Sequence, residues 1–159
     1  MKKNFLFFAI FLCTVISDQV SKLFIDSHFA INESKILIDD FLYLRYIRNP
    51  GIAFGISLYH PILMLCITLI IIFVLVYLFL KGIIGSEGLT GKIAIILILG
   101  GAAGNLIDRI RMKEVIDFIE MGIGEYRWPI YNLADVYVTC GMFMLIYLYT
   151  FSSKRLNNS

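Results

Sequence analysis

The sequence is short of charge. Of its 159 residues only 16% are Asp, Glu, Lys or Arg, while hydrophobic residues make up 59%. Soluble domains carry about 25% charged residues. A water-soluble fold of this size buries only roughly 70% of the area its unfolded chain exposes, too little to hide so much apolar surface. The net charge of +2 is too small to point to nucleic acid as a partner. Cysteine is scarce as well: Cys13, Cys66 and Cys140 each lie in an apolar run, and no C-x-x-C pair occurs. An odd number without that spacing argues against a disulfide framework and a zinc site. A cysteine nucleophile would need a histidine, and the two available, His28 and His60, lie outside the apolar runs. The cysteines are therefore expected as buried packing residues. There is no internal repeat and no low-complexity tract. Aromatics, in contrast, are plentiful, with 13 Phe and 9 Tyr, which excludes a disordered chain. The solvent that suits this composition is a lipid bilayer.

A hydrocarbon core about 30 Å thick needs roughly 20 apolar residues in a helix. Four segments qualify: residues 5–25, 61–80, 92–110 and 133–151. The second carries no charge and has Pro61 where a helix tolerates it, in the first turn. The first follows Lys2 and Lys3 like a secretory signal, but it lacks an A-x-A site, and its apolar character resumes at Val20 and Leu23. A retained span is expected. The sequence thus predicts one integral membrane domain over residues 1–159, mainly α, with four transmembrane helices. An even number of spans puts both termini on one side. The short segments there hold Lys2, Lys3, Lys81, Lys154 and Arg155 against the single acid Glu87. That density of Lys and Arg near the span ends predicts cytoplasmic termini.

The long connections, residues 26–60 and 111–132, then lie outside the cytoplasm. In the first, residues 35–38 and 41–47 are rich in β-branched and aromatic side chains and flank Asp39-Asp40. This reads as a hairpin, followed by the turn Asn49-Pro50-Gly51 and a further strand near residues 53–56. So small a sheet has no core of its own and must lean on the helices or the membrane surface. The segment 49–55 is expected, as a hypothesis, to close over a site at that face and exclude water.

An ionisable group at membrane depth costs about 2.5–3.5 kcal/mol even on the gentler scales, so each is a functional candidate. Asp18 and Lys22 stand four apart in the first span and can pair on one helix face. That pair serves equally well as a structural lock or as a ligand contact. In the third span Gly100 and Gly104 form a small-residue stripe that admits another helix closely. Asp108 continues that row, and Gly101, Asn105 and Arg109 form the adjacent one. Just beyond, Asp117 is embedded in apolar neighbours, and Asp135 lies in the first turn of the fourth span, where Asn132 is suited to cap the helix. A cap and a helix dipole account for Asn132 and Asp135. They give Asp117 no role. Both carboxylates map to one membrane–water boundary. Two carboxylates brought together in a desolvated site share a proton. One then deprotonates a water while the other protonates a peptide carbonyl, chemistry that needs no metal, no cofactor and no side-chain nucleophile.

Five short motifs follow one another along the chain: Asp18-Gln19-x-x-Lys22, Asn49-x-Gly51-x-Ala53-Phe54, Gly100-Gly101-x-x-Gly104-Asn105-x-x-Asp108-Arg109, Val115-x-Asp117-Phe118 and Asn132-x-Ala134-Asp135. In this order, on four spans, they resemble the lipoprotein signal peptidases (signal peptidase II) of bacteria. That family usually has Phe where Tyr131 precedes the last motif, a change that keeps the ring. The resemblance implies four helices with a small extracytoplasmic β-cradle in the cytoplasmic membrane. It implies an aspartic endopeptidase that cuts diacylglyceryl-modified prolipoproteins before the lipidated cysteine. Asp117 and Asp135 would be the catalytic dyad. Asn105, Arg109 and Asn132 would line the site, with Asn49 and Gly101 near it, and Asp18, Lys22 and Asp108 would support it. Partners would be the prolipoproteins, membrane lipids and globomycin-type inhibitors.

A small proton-coupled transporter is the alternative from another class, with Asp18, Lys22, Asp117 and Asp135 as a relay. Such transporters place charges near the midplane and show related halves, whereas here Asp117 and Asp135 gather at one interface and no repeat is evident. A purely structural membrane subunit with an ion-pair network leaves Asp117 unexplained.

Overall fold

A computed structural model describes residues 2–53, 56–57, 61–86 and 88–156. Helix α1 (Lys2–His28) leads into β1 (Ser34–Ile38) and β2 (Leu42–Asn49), then the short β3 (Ile52–Ala53) and β4 (Ile56–Ser57). Helices α2 (Pro61–Leu80) and α3 (Gly88–Met112) follow, then β5 (Val115–Ile123), β6 (Tyr126–Arg127) and α4 (Leu133–Leu156). All four helices are long and apolar enough to cross a membrane. α2 starts and stops where the hydropathy of the sequence does. The others run past the expected bounds, α3 starting at Gly88 and α4 reaching Leu156. Hydropathy marks only the part of a helix that needs hydrocarbon, whereas backbone hydrogen bonding continues into the polar interface.

α3 is the hub of the bundle, packing on α1, α2 and α4. The two rows read in its sequence face two different helices. A side-chain carbon at Gly100 would meet Thr14 at 2.8 Å, and one at Gly104 would meet Asp18, so that row receives α1. A carbon at Gly101 would meet the Ala134 carbonyl and Val138, so the adjacent row receives α4. α2 packs chiefly on α3, and its most apolar stretch has no buried residue. A helix that is apolar all round yet uncovered by protein is solvated by lipid.

That same solvent corrects the reading of the cysteines. Cys13, Cys66 and Cys140 are free thiols on exposed helix surfaces, not packing residues. In lipid an apolar side chain gains nothing by turning inward, so an apolar run does not say which of its residues face the bundle.

The expected hairpin is present: β1 pairs antiparallel with β2, and Asp40 takes a left-handed φ of 55° in the turn. The four-stranded sheet has the order β1-β2-β5-β6, with every pair antiparallel. Two of its strands, the inner β5 and the short edge strand β6, are absent from the reading above. β5 is buried along most of both faces, so it lacks the polar alternation that marks a half-exposed strand. Ile116 and Phe118 join Tyr46 of β2 and Ile25 of α1 in one apolar cluster, the core on which the small sheet leans. A second tie is polar. The Tyr46 hydroxyl donates to Asp26 at the end of α1 and accepts from Arg48 Nε at 2.8 Å, while Arg48 Nη2 reaches Asp26 at 3.0 Å. The strand expected near residues 53–56 is a two-residue pairing of β3 with β4. Phe54, Gly55 and His60 lie outside the described residues, so the expected closure of segment 49–55 falls partly there.

Candidate active site

The site forms where α3 ends, β5 begins and α4 begins. In the β2–β5 ladder Asn49 stands opposite Val115, and Ile47 opposite Asp117. Side chains alternate along a strand, so Val115, Asp117 and Asn49 share a face, with Asn49 diagonal to Asp117. The Asn49 amide donates to Asp117 Oδ2 at 2.9 Å. Gly51, with φ at 114°, turns the chain back so that its N–H donates to Asn49 Oδ1 at 2.9 Å. That bond leaves the Asn49 NH2 directed at Asp117.

On the other side Tyr131 bridges back to β5, exchanging hydrogen bonds with Ile119. This pins the entry to α4 and delivers Asn132 to the cap position. The cap is reciprocal: the Asp135 N–H donates to Asn132 Oδ1 at 3.1 Å, and the Asn132 N–H donates to Asp135 Oδ2 at 3.2 Å. This is a capping box with Asp at its third helical position. The Asn132 side-chain NH2 is thereby free to point the other way, and it donates to Asp117 Oδ1 at 2.6 Å. One residue, wholly buried, holds both carboxylates.

The α3 row completes the site. Asn105 Nδ2 donates to Asp135 Oδ1 at 2.9 Å, while Asn105 Oδ1 accepts from Asn132 Nδ2 at 3.1 Å and from Lys22 Nζ at 2.8 Å. Arg109, half-buried one turn further on, donates to the Asn105 carbonyl at 3.3 Å. Its charge acts on Asp135, Asp117 and Asp108. Asp117, Asp135, Asn105, Arg109 and Asn49 line one cavity of about 400 Å³. A larger, mostly apolar groove of about 730 Å³ adjoins it, sharing Pro129, Tyr131 and Asp135.

Asp117 is 3% exposed. Burial, and then the negative charge of Asp135, push its pKa up to about 7, against the opposing hydrogen bonds from Asn49 and Asn132. It therefore keeps its proton to higher pH than an ordinary carboxyl does. It shares its cavity with the second carboxyl, Asp135.

Beneath the cavity lies an ion cluster with no solvent access. Lys22 Nζ is 2.8 Å from Asp18 and 3.0 Å from Asp108. Asp18 Oδ1 also accepts from the Ala134 N–H at 2.9 Å, a carboxylate at the positive end of α4. Asp108 Oδ2 accepts from the Ile116 N–H at 3.3 Å, and Gln19 donates to both carboxylates and to the Gly104 carbonyl.

The sequence-derived candidates thus fall into three places. Asp117, Asp135, Asn49, Asn105 and Arg109 border the cavity, with Asn132 locked behind them. Asp18, Lys22 and Asp108 form the layer below. Gly101 does not line the cavity; it is the contact that lets α3 and α4 close on each other. The sequence reading missed Tyr131 and Pro129 as cavity walls and gave Gln19 no role. For Gln19 the signal was its place between Asp18 and Lys22. Among the described residues, no three His, Cys, Asp or Glu side chains are gathered to hold a metal ion.

Four membrane-crossing helices and a small sheet that close a cavity around paired carboxylates define a class: a polytopic membrane protein with a built polar site where β5 meets the ends of α3 and α4. Relatives make it specific. Residues 10–151 match the family described as "Signal peptidase (SPase) II". The lipoprotein signal peptidase of Syntrophus aciditrophicus is 40% identical over 152 residues, covering 92% of this chain and 93% of its own. That of Bacillus velezensis is 37% identical over 150 residues, covering 94% and 97%. Two solved structures, each titled as a bacterial membrane enzyme, share the fold. One superposes with a TM-score of 0.80 at 33% identity over 96% of this chain and 91% of that one. The other gives 0.79 at 37% identity over 90% and 91%. The chain belongs to the signal peptidase II family, the bacterial membrane proteases that process the signal peptides of prolipoproteins.

Proposed function

We propose that this protein is an aspartic endopeptidase in which Asp117 and Asp135 form the catalytic pair. The observation that carries this reading is the shared lining of one cavity by two carboxyls, Asp117 with its pKa pushed up to about 7 by burial and by its neighbour Asp135, both held by Asn132. The pair starts the cycle with one proton between them. The ionised member takes a proton from a water, whose oxygen attacks the scissile carbonyl carbon. The protonated member gives its proton to the carbonyl oxygen. Collapse of the tetrahedral intermediate breaks the C–N bond, and the proton taken from water passes to the leaving amine. One hydroxyl of the intermediate returns its proton to the carboxylate that had protonated the carbonyl, which restores the pair with one proton. Arg109 is suited to offset the negative charge that builds up in the cavity.

The substrate fits the position of the pair. A signal peptide is an apolar helix that arrives through the bilayer, and a diacylglyceryl-modified cysteine keeps its acyl chains in lipid, so the bond preceding that cysteine sits near the interface. The Lys and Arg density at the span ends supports cytoplasmic termini and a site at the extracytoplasmic face. Globomycin-type inhibitors would compete for the same cavity.

The test is reconstitution of the purified protein with a diacylglyceryl-modified prolipoprotein. Asp117→Asn and Asp135→Asn are each expected to abolish cleavage while the protein stays folded, and cleavage by the parent protein should survive chelators. Full activity in either variant refutes the pair. Proton flux without cleavage would instead favour the transporter.

A further inference from the structure

Lys22 does more than its ion pairs require. It is wholly buried, and an ammonium has three N–H donors. Two go to Asp18 and Asp108, either of which would offset its charge. The third leaves the ion cluster for the candidate site and meets Asn105 Oδ1 at 2.8 Å.

A side-chain amide can turn over, exchanging its oxygen with its NH2. Here it cannot do so without loss. Lys22 offers only donors, and Asn132 Nδ2 adds a second donor to the same oxygen at 3.1 Å. The Asn105 NH2 is therefore directed at Asp135 Oδ1, 2.9 Å away. Turned over, the amide would set its oxygen against the Asp135 carboxylate and its NH2 against the Lys22 ammonium, two repulsive contacts where two attractive ones stood.

We propose that Lys22 is a positioning residue for the cleavage reaction, acting through the Asn105 amide to hold the Asp135 carboxylate in place at the cavity wall. The inference rests on the aspartic reading above, since Asp135 must do chemistry for its orientation to matter. It goes beyond a supporting ion pair, because charge balance alone would be met by Asp18 and Asp108 with no contact to Asn105.

The two accounts separate in a double-mutant cycle on the full-length protein in lipid nanodiscs, with kcat, KM and thermal unfolding measured for each variant. Lys22→Met is expected to lower kcat about 10- to 100-fold with KM changed less than about twofold, the range for losing one hydrogen bond to a charged group. Asn105→Ala should fall similarly. The combined variant should be no more than about threefold worse than Asn105→Ala alone, because the lysine has then lost the residue it acts through. Where Lys22→Met alone does not fold, Lys22→Met/Asp108→Asn carries the same cycle. It keeps the cluster at one net negative charge and leaves Asp18 on the Ala134 N–H.

Parent-like kcat in the lysine variants, losses that multiply in the combined variant, or an effect confined to KM overturns the proposal. Asp117→Asn and Asp135→Asn run alongside: if either still cleaves, the aspartic reading has failed. If both are inactive while Lys22→Met is fully active, only the positioning role has failed.

Discussion

Replacing Asp117 by Asn should make the protein more stable at pH 8 and less stable at pH 4. The arithmetic comes from its site. In the unfolded chain the carboxyl titrates near its ordinary value of 3.8, and in the fold near 7, raised by burial and by Asp135. At 1.36 kcal/mol per pH unit, ionisation penalises the native state by about 4 kcal/mol once both states are ionised. The sign follows from linkage. A carboxyl with a raised native pKa has no penalty below pH 3.8, an increasing one as pH rises, and the full one above about pH 7. Asn never ionises and so escapes it. Asn does bring an NH2 where Asp117 has an oxygen, and both oxygens face donors, from Asn49 and Asn132. One donor is left opposing another, at a cost of about 1–3 kcal/mol. The variant should therefore gain about 1–3 kcal/mol at pH 8 and lose about as much at pH 4, crossing the parent near pH 5–6. Thermal unfolding in lipid nanodiscs across this range, followed by Trp128 as the single tryptophan, measures both. A stability difference that does not change with pH, or a variant less stable at pH 8, would refute the reasoning.

Three further outcomes are expected. In the proposed mechanism a proton on the pair protonates the carbonyl, so kcat/KM should fall about tenfold per pH unit above about pH 7, and a flat basic limb to pH 9 would contradict this. Gly104→Ala drives a methyl group into Asp18, whose carboxyl is clamped by Lys22 and the Ala134 N–H. It should destabilise by about 1–3 kcal/mol, read as a lower unfolding temperature. Asn132→Ala should lose both the α4 cap, about 1 kcal/mol, and cleavage. Asn132→Ser should restore most of the stability by capping, yet not the activity, because a hydroxyl lacks the NH2 that holds Asp117; recovered cleavage in the Ser variant would argue against that bond.

Much of this was legible because lipid simplifies the code. The lengths of four apolar runs set the helices, and the rarity of ionisable groups made Asp18, Lys22, Asp108, Asp117 and Asp135 conspicuous. The row Gly100, Gly104, Asp108 was read correctly as one face, since 3.6-residue periodicity is strict. Which helix each face receives was not legible, because that depends on packing between segments far apart in sequence. β5 was missed for a related reason: buried on both faces, it offers no alternation, and Asp117 within it looks like an isolated charge until Asn49 arrives from β2. The cysteines were misplaced because hydrophobicity separates inside from outside only in water. The link from Tyr46 to Asp26 and Arg48 is a tertiary contact whose members, read singly, look like ordinary interfacial residues.

The bond from the Ala134 N–H to Asp18 joins residues 116 apart in sequence, the first helix to the last. Since synthesis runs from the N-terminus, Asp18 waits in the membrane until almost the whole chain has been made. Asp117 emerges before Asn132 and Asp135 exist to hold it. Until the start of α4 has been made, the cavity lacks both Asp135 and the Asn132 that holds Asp117. The polar cavity is therefore completed only when the last helix joins the first.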